Sequence, residues 1–245
     1  MPKKRSVKKG DTRYNQYHRE YMVSQREDAR DIGELPPCEN PDRKKACEHD
    51  LVLFCNTYFP DHFFREWTAS QIEIARNIEK VINVGGFQAI AHKRRGAKTT
   101  ICRGGLLWAV LYGKHIYSFF AGSEGGAATD AKTFIEMELL ENNLLLEDFP
   151  EVCYPIRCTE GIKQRKVKYH GDACNISTSG DKIVLPTMRV YDKDGNLVKT
   201  KEGKPLHYPA SGALIRFISV ASTGVRGRQY RLSDRDMWDS ILNLV

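Results

Sequence analysis

The sequence predicts a three-layer α/β domain with a mostly parallel sheet, set behind a basic flexible arm and a short helical lead-in. Three observations carry this reading. Between Phe87 and Glu141, apolar runs and amphipathic periods alternate in the order strand, loop, helix, strand, helix. That order calls for parallel strands joined by right-handed helical crossovers. The chain has 245 residues, 41% of them hydrophobic, enough to close a core without staples. Its first thirty positions are crowded with lysine and arginine, which sets them apart from everything that follows.

Composition removes several classes. Residue usage is near the globular average, which excludes collagen, coiled coil and a wholly disordered chain. No stretch approaches the roughly 20 apolar residues of a membrane span. Met1 to Gly10 is Lys-rich but no apolar run follows it, so it is not a secretory signal. Seven scattered cysteines suit a reducing compartment better than a disulfide framework. The net charge of +7 hints at a polyanionic partner.

Residues 1–34 form the arm. Lys3, Lys4, Arg5, Lys8, Lys9, Arg13, Arg19, Arg26 and Arg30 stand there among few apolar residues. Such a segment buries too little surface to offset the entropy of ordering it. Its readings are contact with nucleic-acid phosphates or a solvated tail, with a polar helix weakly patterned over Tyr14 to Arg30. Leu35-Pro36-Pro37 breaks the chain and opens the lead-in, residues 35–86. Leu51, Phe54, Cys55, Tyr58 and Phe59 recur at helical spacing and stop at Pro60. A second helix is expected over Ala69 to Val81, capped by Thr68 or Ser70 and ended by Gly85-Gly86.

The main domain is expected over residues 87–245. Phe87 to Ala91 suits a buried strand, Ile101 to Tyr112 a helix packed on the sheet, and Lys114 to Ala121 a second buried strand. Thr129 to Glu141 places Ala131, Phe134, Ile135 and Leu139 on one helical face. Beyond Phe149-Pro150 the pattern weakens. Lys163, Arg165, Lys166, Lys168 and His170 form a basic cluster in a loop or edge strand, and Lys182 to Leu185 is a short strand. Asp194-Gly195 between Val190 and Val198 signals a hairpin, and Ala213 to Val220 a further strand.

The segment between the first strand and its helix reads His92-Lys93-Arg94-Arg95-Gly96-Ala97-Lys98-Thr99-Thr100. A phosphate-binding loop needs glycines so that backbone N–H groups face the phosphates, a lysine to reach them, and a hydroxyl for magnesium. Lys98 and Thr99 fill the last two roles. His92 and Ala97 stand where the strict pattern has glycine, leaving Gly96 to relax the loop. Ala97 fits if it keeps an ordinary φ, whereas His92 requires the loop to open differently. The alternative is a solvent-exposed basic loop.

Read in order, Asp50 to Arg228 resembles the ATPase domain of a tailed-bacteriophage terminase large subunit, the DNA-packaging motor protein. The residues that carry the likeness are Phe54, Cys55, Tyr58, Phe59 and Pro60 before the loop, and Arg95-Gly96-Ala97-Lys98-Thr99 in the Walker A position. Glu138, Asn142, Asn143, Leu145 and Phe149-Pro150 follow, then Pro209 to Ala213 and Gly224-Val225-Arg226-Gly227. The resemblance implies a P-loop NTPase fold with ATP and Mg2+ as cofactors. Lys98 then contacts the β and γ phosphates, Thr99 holds magnesium, and the backbone from Arg95 through Gly96, Ala97, Lys98, Thr99 and Thr100 wraps the phosphates. Arg94 or Arg95 supplies the charge-stabilising arginine. Gln71 sits where the family reads adenine, an exposed helical glutamine being the alternative.

The resemblance further implies double-stranded DNA, a portal protein, a small terminase subunit and further copies in a ring as partners, in the host cytoplasm with no membrane. Arg226, Lys163 and Arg165 are the candidate nucleic-acid contacts, with a structural loop role equally open for Arg226. The family places an apolar strand ending in Asp, followed by a catalytic Glu, soon after the Gly-x-Arg-Gly loop. Asp234, Asp236 and Asp239 close no apolar strand here, and no nuclease domain follows. The expectation is an incomplete motor with weak or no turnover alone. A helicase-like ATPase fragment and a basic nucleic-acid-binding remnant are the alternatives. Cys38, Cys47, His49 and Cys55 lack the paired C-x2-C knuckle of a zinc site.

Overall fold

The computed structural model describes residues 16, 30–93, 96–122, 125–160, 167–178 and 180–219. They form a mixed α/β structure with small mixed sheets. In chain order the elements are β1 (Arg30–Asp31), α1 (Pro41–Cys47), α2 (Leu51–Tyr58), α3 (Ala69–Val84), α4 (Lys98–Leu111), β2 (Tyr117–Gly122) and α5 (Gly125–Glu141). Then come α6 (Asn143–Asp148), α7 (Pro150–Cys158), β3 (Val167–Tyr169), β4 (Asp172–Ala173), β5 (Lys182–Val184) and β6 (Leu214–Ser219).

Local chemistry sets the helix starts. Asn40 caps α1 by accepting from the Arg43 N–H, with Pro41 in the first turn, where a missing N–H costs nothing. Asp50 accepts from the Leu53 N–H at the start of α2. Thr68, rather than Ser70, caps α3 in a reciprocal box with Gln71. α4 ends in a Schellman arrangement: the Gly113 N–H donates to the Val110 carbonyl and the Lys114 N–H to the Ala109 carbonyl.

The core gathers around α4. Ile101, Leu107, Trp108 and Leu111 are fully buried against Leu51, Phe54, Cys55 and Tyr58 of α2 and Ala75 of α3. Gly104 and Gly105 allow this approach, since a Cβ would lie 2.9 Å from Cys55 Sγ and 2.8 Å from Ile78 Cγ2, respectively. Trp108 donates its indole N–H to the Cys47 carbonyl at 2.9 Å, so its polar end is satisfied where it is buried. The most buried charge among the described residues is Asp148. It receives a two-pronged Arg43 guanidinium at 2.6 and 2.9 Å and the Tyr58 hydroxyl at 2.5 Å, tying α1, α2 and α6 together. Burial, then the bond to Asp148, holds the Tyr58 hydroxyl well above its ordinary pKa.

The larger sheet has the order β2-β6-β5. β2 and β6 run parallel with Tyr117 opposite Leu214 and Gly122 opposite Ser219, while β5 is antiparallel to β6. α5 lies against β2, β5 and β6 and buries Ala131, Ile135 and Leu139. The smaller sheet, β1-β3-β4, covers a satellite core of Ile32, Val167, Tyr169, Cys174 and Met188.

Three expectations change. The sheet is not mostly parallel: each of the two three-stranded sheets joins one parallel and one antiparallel pair. Phe87 to Ala91 forms no strand. Among the described residues nothing pairs with it, and Phe87 stays 68% exposed. An apolar run becomes a strand only where a neighbour accepts and donates its backbone bonds. The hairpin at Asp194-Gly195 forms, with Tyr191 opposite Leu197, but as part of a larger lobe over residues 186–212. There the Val190 N–H donates to the Leu206 carbonyl, Leu206 to Val198, and Val198 to Val190, at 2.9, 2.9 and 3.0 Å. Three extended segments thus close a ring. The arm, the cluster at Lys163, Arg165 and Lys166, and the chain beyond Ser219 lie outside the described residues.

Candidate phosphate-binding site

The site begins at the first turn of α4. The opening turn of any helix leaves N–H groups without intrahelical acceptors, and here those belong to Lys98, Thr99 and Thr100. The helix dipole adds partial positive charge at the same place. Ala97 occupies the N-cap position with φ 60° and ψ 9°, in the left-handed region, and makes no side-chain cap. The ordinary φ on which its fit depended is therefore absent. Ala97 holds a conformation that favours glycine, at a strain of about 1 kcal/mol. The condition under which alanine was acceptable at this position of a phosphate loop is therefore not met.

Gly96 is buried, and its glycine identity has a visible cause. A Cβ there would lie 2.0 Å from His92 Cδ2 and 2.2 Å from His92 Nε2. The His92 ring, where the strict motif has glycine, is folded against the backbone of the loop. A turn from the Gly96 N–H to the Lys93 carbonyl completes the bend. Arg94 and Arg95, the candidate charge-stabilising arginines, lie outside the described residues.

Gln71 is brought to this loop across 25 positions of sequence. Its Nε2 donates to the Gly96 carbonyl at 3.3 Å. Its Oε1 accepts from the Thr68 N–H at 2.9 Å and the Thr68 hydroxyl at 3.0 Å. Both ends of the amide are occupied, so the side chain ties the α3 cap to the loop and is not the free helical glutamine of the alternative reading. The Thr-x-x-Gln spacing of a capping box was the sequence signal for the first half of this role. The Gly96 contact had none.

Beside Lys98 and Thr99 lies a cavity of about 310 Å³ between α3, α4, β2 and the extended chain after α3. Ile78, Ile90, Leu106 and Phe120 make it largely apolar, and Gln88, Lys98 and Thr99 provide its polar lining. Cys102 also faces it; burial raises its thiol pKa, partly countered by the nearby Lys98 charge. Lys98 is half-buried and Thr99 exposed, so the ammonium and the hydroxyl both have a route to solvent.

Among the described residues no cluster of three or more His, Cys, Asp or Glu side chains is arranged to hold a metal. Cys38, Cys47, His49 and Cys55 do not come together as such a group, and all the cysteines are free thiols. Thr99 fits magnesium as one hydroxyl ligand and no more; a hard cation takes its other ligands from phosphate oxygens, water or carboxylates. The acids considered for the catalytic strand, Asp234, Asp236 and Asp239, and the candidate nucleic-acid contacts Lys163, Arg165 and Arg226 lie outside the described residues. No helix among the described residues is long and apolar enough to cross a membrane. Comparison with protein-family models, with curated proteins and with solved structures gave no match to this chain.

Proposed function

We propose that this chain carries the ATPase part of a tailed-phage terminase large subunit, a P-loop domain with a three-layer α/β/α architecture that powers DNA packaging. The observation that supports it is the start of α4. A lysine and a threonine stand in the first turn of a core helix, where backbone N–H groups lack intrahelical acceptors, behind a tightly packed glycine. This is the arrangement in which backbone amides, an ammonium and a hydroxyl converge on a polyphosphate. The ordered likeness from Phe54 to Gly227 supplies the family.

In this reading the amides of the first α4 turn bind the phosphates, and Lys98 neutralises charge on the β and γ groups. Arg94 or Arg95 stabilises the charge that builds on the transferred phosphoryl group. Gln71 holds the loop in register through the Gly96 carbonyl and lies on the nucleotide side of α3. Thr99 would contribute to holding Mg2+, which supplies charge neutralisation between the phosphates when bound. Double-stranded DNA, a portal ring, a small subunit and further copies of the chain are the corresponding partners. The site acts in the host cytoplasm, at the procapsid.

Titration calorimetry with magnesium-ATP tests this on the chain and on Lys98→Ala, with circular dichroism to show that both are folded. The reading expects binding by the first and at least tenfold weaker binding by the second. Equal affinity in the two, or no heat from either, overturns it.

A further inference from the structure

We propose that residues 241–245 of this chain, Ile-Leu-Asn-Leu-Val, dock as an added strand in the slot between β2 and residues 87–91. The slot is the cavity of about 310 Å³ beside the phosphate loop. Three successive residues of β2, Phe119, Phe120 and Ala121, line it. Successive side chains of a strand point to opposite faces, so the cavity lies along the edge of β2 and not under one face. β6 bonds the other edge, and among the described residues no strand pairs with this one. Gln88 and Ile90 line the cavity too. Among the described residues, 87–91 likewise make no backbone–backbone hydrogen bond.

Both borders of the slot start from the same end. His115 Nε2 lies 2.9 Å from the Ile82 carbonyl oxygen, and Lys114 Nζ donates to Asn83 Oδ1 at 3.0 Å. The chain entering β2 is thereby tied to the last turn of α3, from which residues 87–91 also leave. At this end Val84, Phe87 and Ile116 are 79%, 68% and 52% exposed. Unmet backbone groups beside apolar walls are what an incoming strand satisfies.

The occupant follows from the chain that continues past β6. Residues 220–240, 21 in all, separate β6 from the segment. A crossover between parallel strands needs roughly a dozen or more. The connection can therefore leave beside the end of β2, where Ser219 pairs with Gly122, and return to its start. Residues 241–245 are uncharged and form the richest apolar run beyond Ser219, with isoleucine and valine favouring a strand. Alternation puts Leu242 and Leu244 on one face and Asn243 on the other. The leucines match Ile78 and Ile82 of α3 and Leu106 of α4, which line the slot, and Asn243 then points away from these helices. Residues 241–245 themselves lie outside the described residues.

The inference rests on unmet backbone groups and not on what the loop binds, so its test uses no nucleotide and its failure leaves the phosphate-site reading standing. Hydrogen exchange of the full chain, read by mass spectrometry, should show the amides of Gln88 to Ala91 protected. Leu242→Asp/Leu244→Asp should exchange them at least about tenfold faster with α5 unchanged, and the control Ser233→Asp should match the parent. Cys102 lines the slot from α4. Leu242→Cys or Leu244→Cys, oxidised with diamide, should form a disulfide with Cys102 inside one chain, and Asn243→Cys should not. Unprotected amides in the parent overturn the proposal, as does protection that Leu242→Asp/Leu244→Asp leaves intact. A disulfide joining two chains also overturns it, by giving the slot to a second copy. If circular dichroism shows the double variant unfolded, the cysteine variants decide: no disulfide to Cys102 from either leucine position overturns the proposal.

Discussion

Gly113→Ala is the sharpest test of how the lobe is anchored to the helical core. Gly113 stands just past α4 with φ 66°, and both its N–H and that of Lys114 close the end of the helix. A methyl group there would meet Pro209: its backbone carbonyl oxygen at 2.6 Å, its carbonyl carbon at 2.8 Å and its ring Cβ also at 2.8 Å. Backbone atoms do not swing aside as a flexible side chain does. The left-handed φ costs alanine about 1 kcal/mol, and the forced contact adds about 1–3 kcal/mol. The sum of about 2–4 kcal/mol corresponds to a Tm lower by roughly 5–15 °C in a chain of this size. Gly203→Ala isolates the first term, since Gly203 has φ 77° and nothing within 4 Å of the added carbon; it should cost only about 1 kcal/mol. Equilibrium urea unfolding of both variants, followed by tryptophan fluorescence and circular dichroism, measures the difference. Costs for the two variants within about 0.5 kcal/mol of each other would refute the close approach of Pro209 to the end of α4.

Two further outcomes follow from buried polar groups. Asp148→Asn keeps the shape of the side chain but removes the charge that receives the Arg43 fork and the Tyr58 hydroxyl. With Arg43 partly solvated and still able to reach Glu147, urea unfolding should show a loss of about 2–3 kcal/mol, and a variant as stable as the parent contradicts that accounting. Burial pushes the Cys153 and Cys174 thiols up to about 12, and burial with the bond to Asp172 does the same for the Tyr191 hydroxyl. The unfolded chain releases these protons near 9 and 10. Stability should therefore be intact below about pH 8.5 and fall as pH rises from there toward 12, by up to about 1.4 kcal/mol per pH unit for each of the two buried thiols and by less for the more open Tyr191 hydroxyl. Urea midpoints that stay level from pH 8 to about 11 would count against it.

The helical framework was legible because it is written in short-range chemistry. The stripe Leu51, Phe54, Cys55 and Tyr58, the turn glycines after Val84 and Leu111, and the face Ala131, Ile135 and Leu139 each specify a helix and its buried side within a few residues. The paired strands Tyr117–Gly122 and Leu214–Ser219 were legible for the same reason, as apolar runs between glycine-bearing turns. At the site, the sequence located Lys98 and Thr99 at a helix start, while the ordinary φ it required of Ala97 is not the one the loop adopts.

What the sequence alone determined, then, is that α2, α3, α4 and α5 exist and which faces they bury; the short helices Pro41–Cys47, Asn143–Asp148 and Pro150–Cys158 and several helix ends were not read from it. Tertiary structure decided the rest, because it depends on groups far apart in the chain. Phe87 to Ala91 has strand composition but no described neighbour to bond its backbone. Gln71 joins the loop only because α3 packs beside α4 and its amide meets the Gly96 carbonyl. Ala97 takes a left-handed φ because the loop must turn between a packed Gly96 and the helix axis. The segments around Val190, Val198 and Leu206 become one lobe only when their backbone groups close a ring. Local pattern selects an element; the partners that satisfy its remaining backbone groups and charges are chosen by the fold.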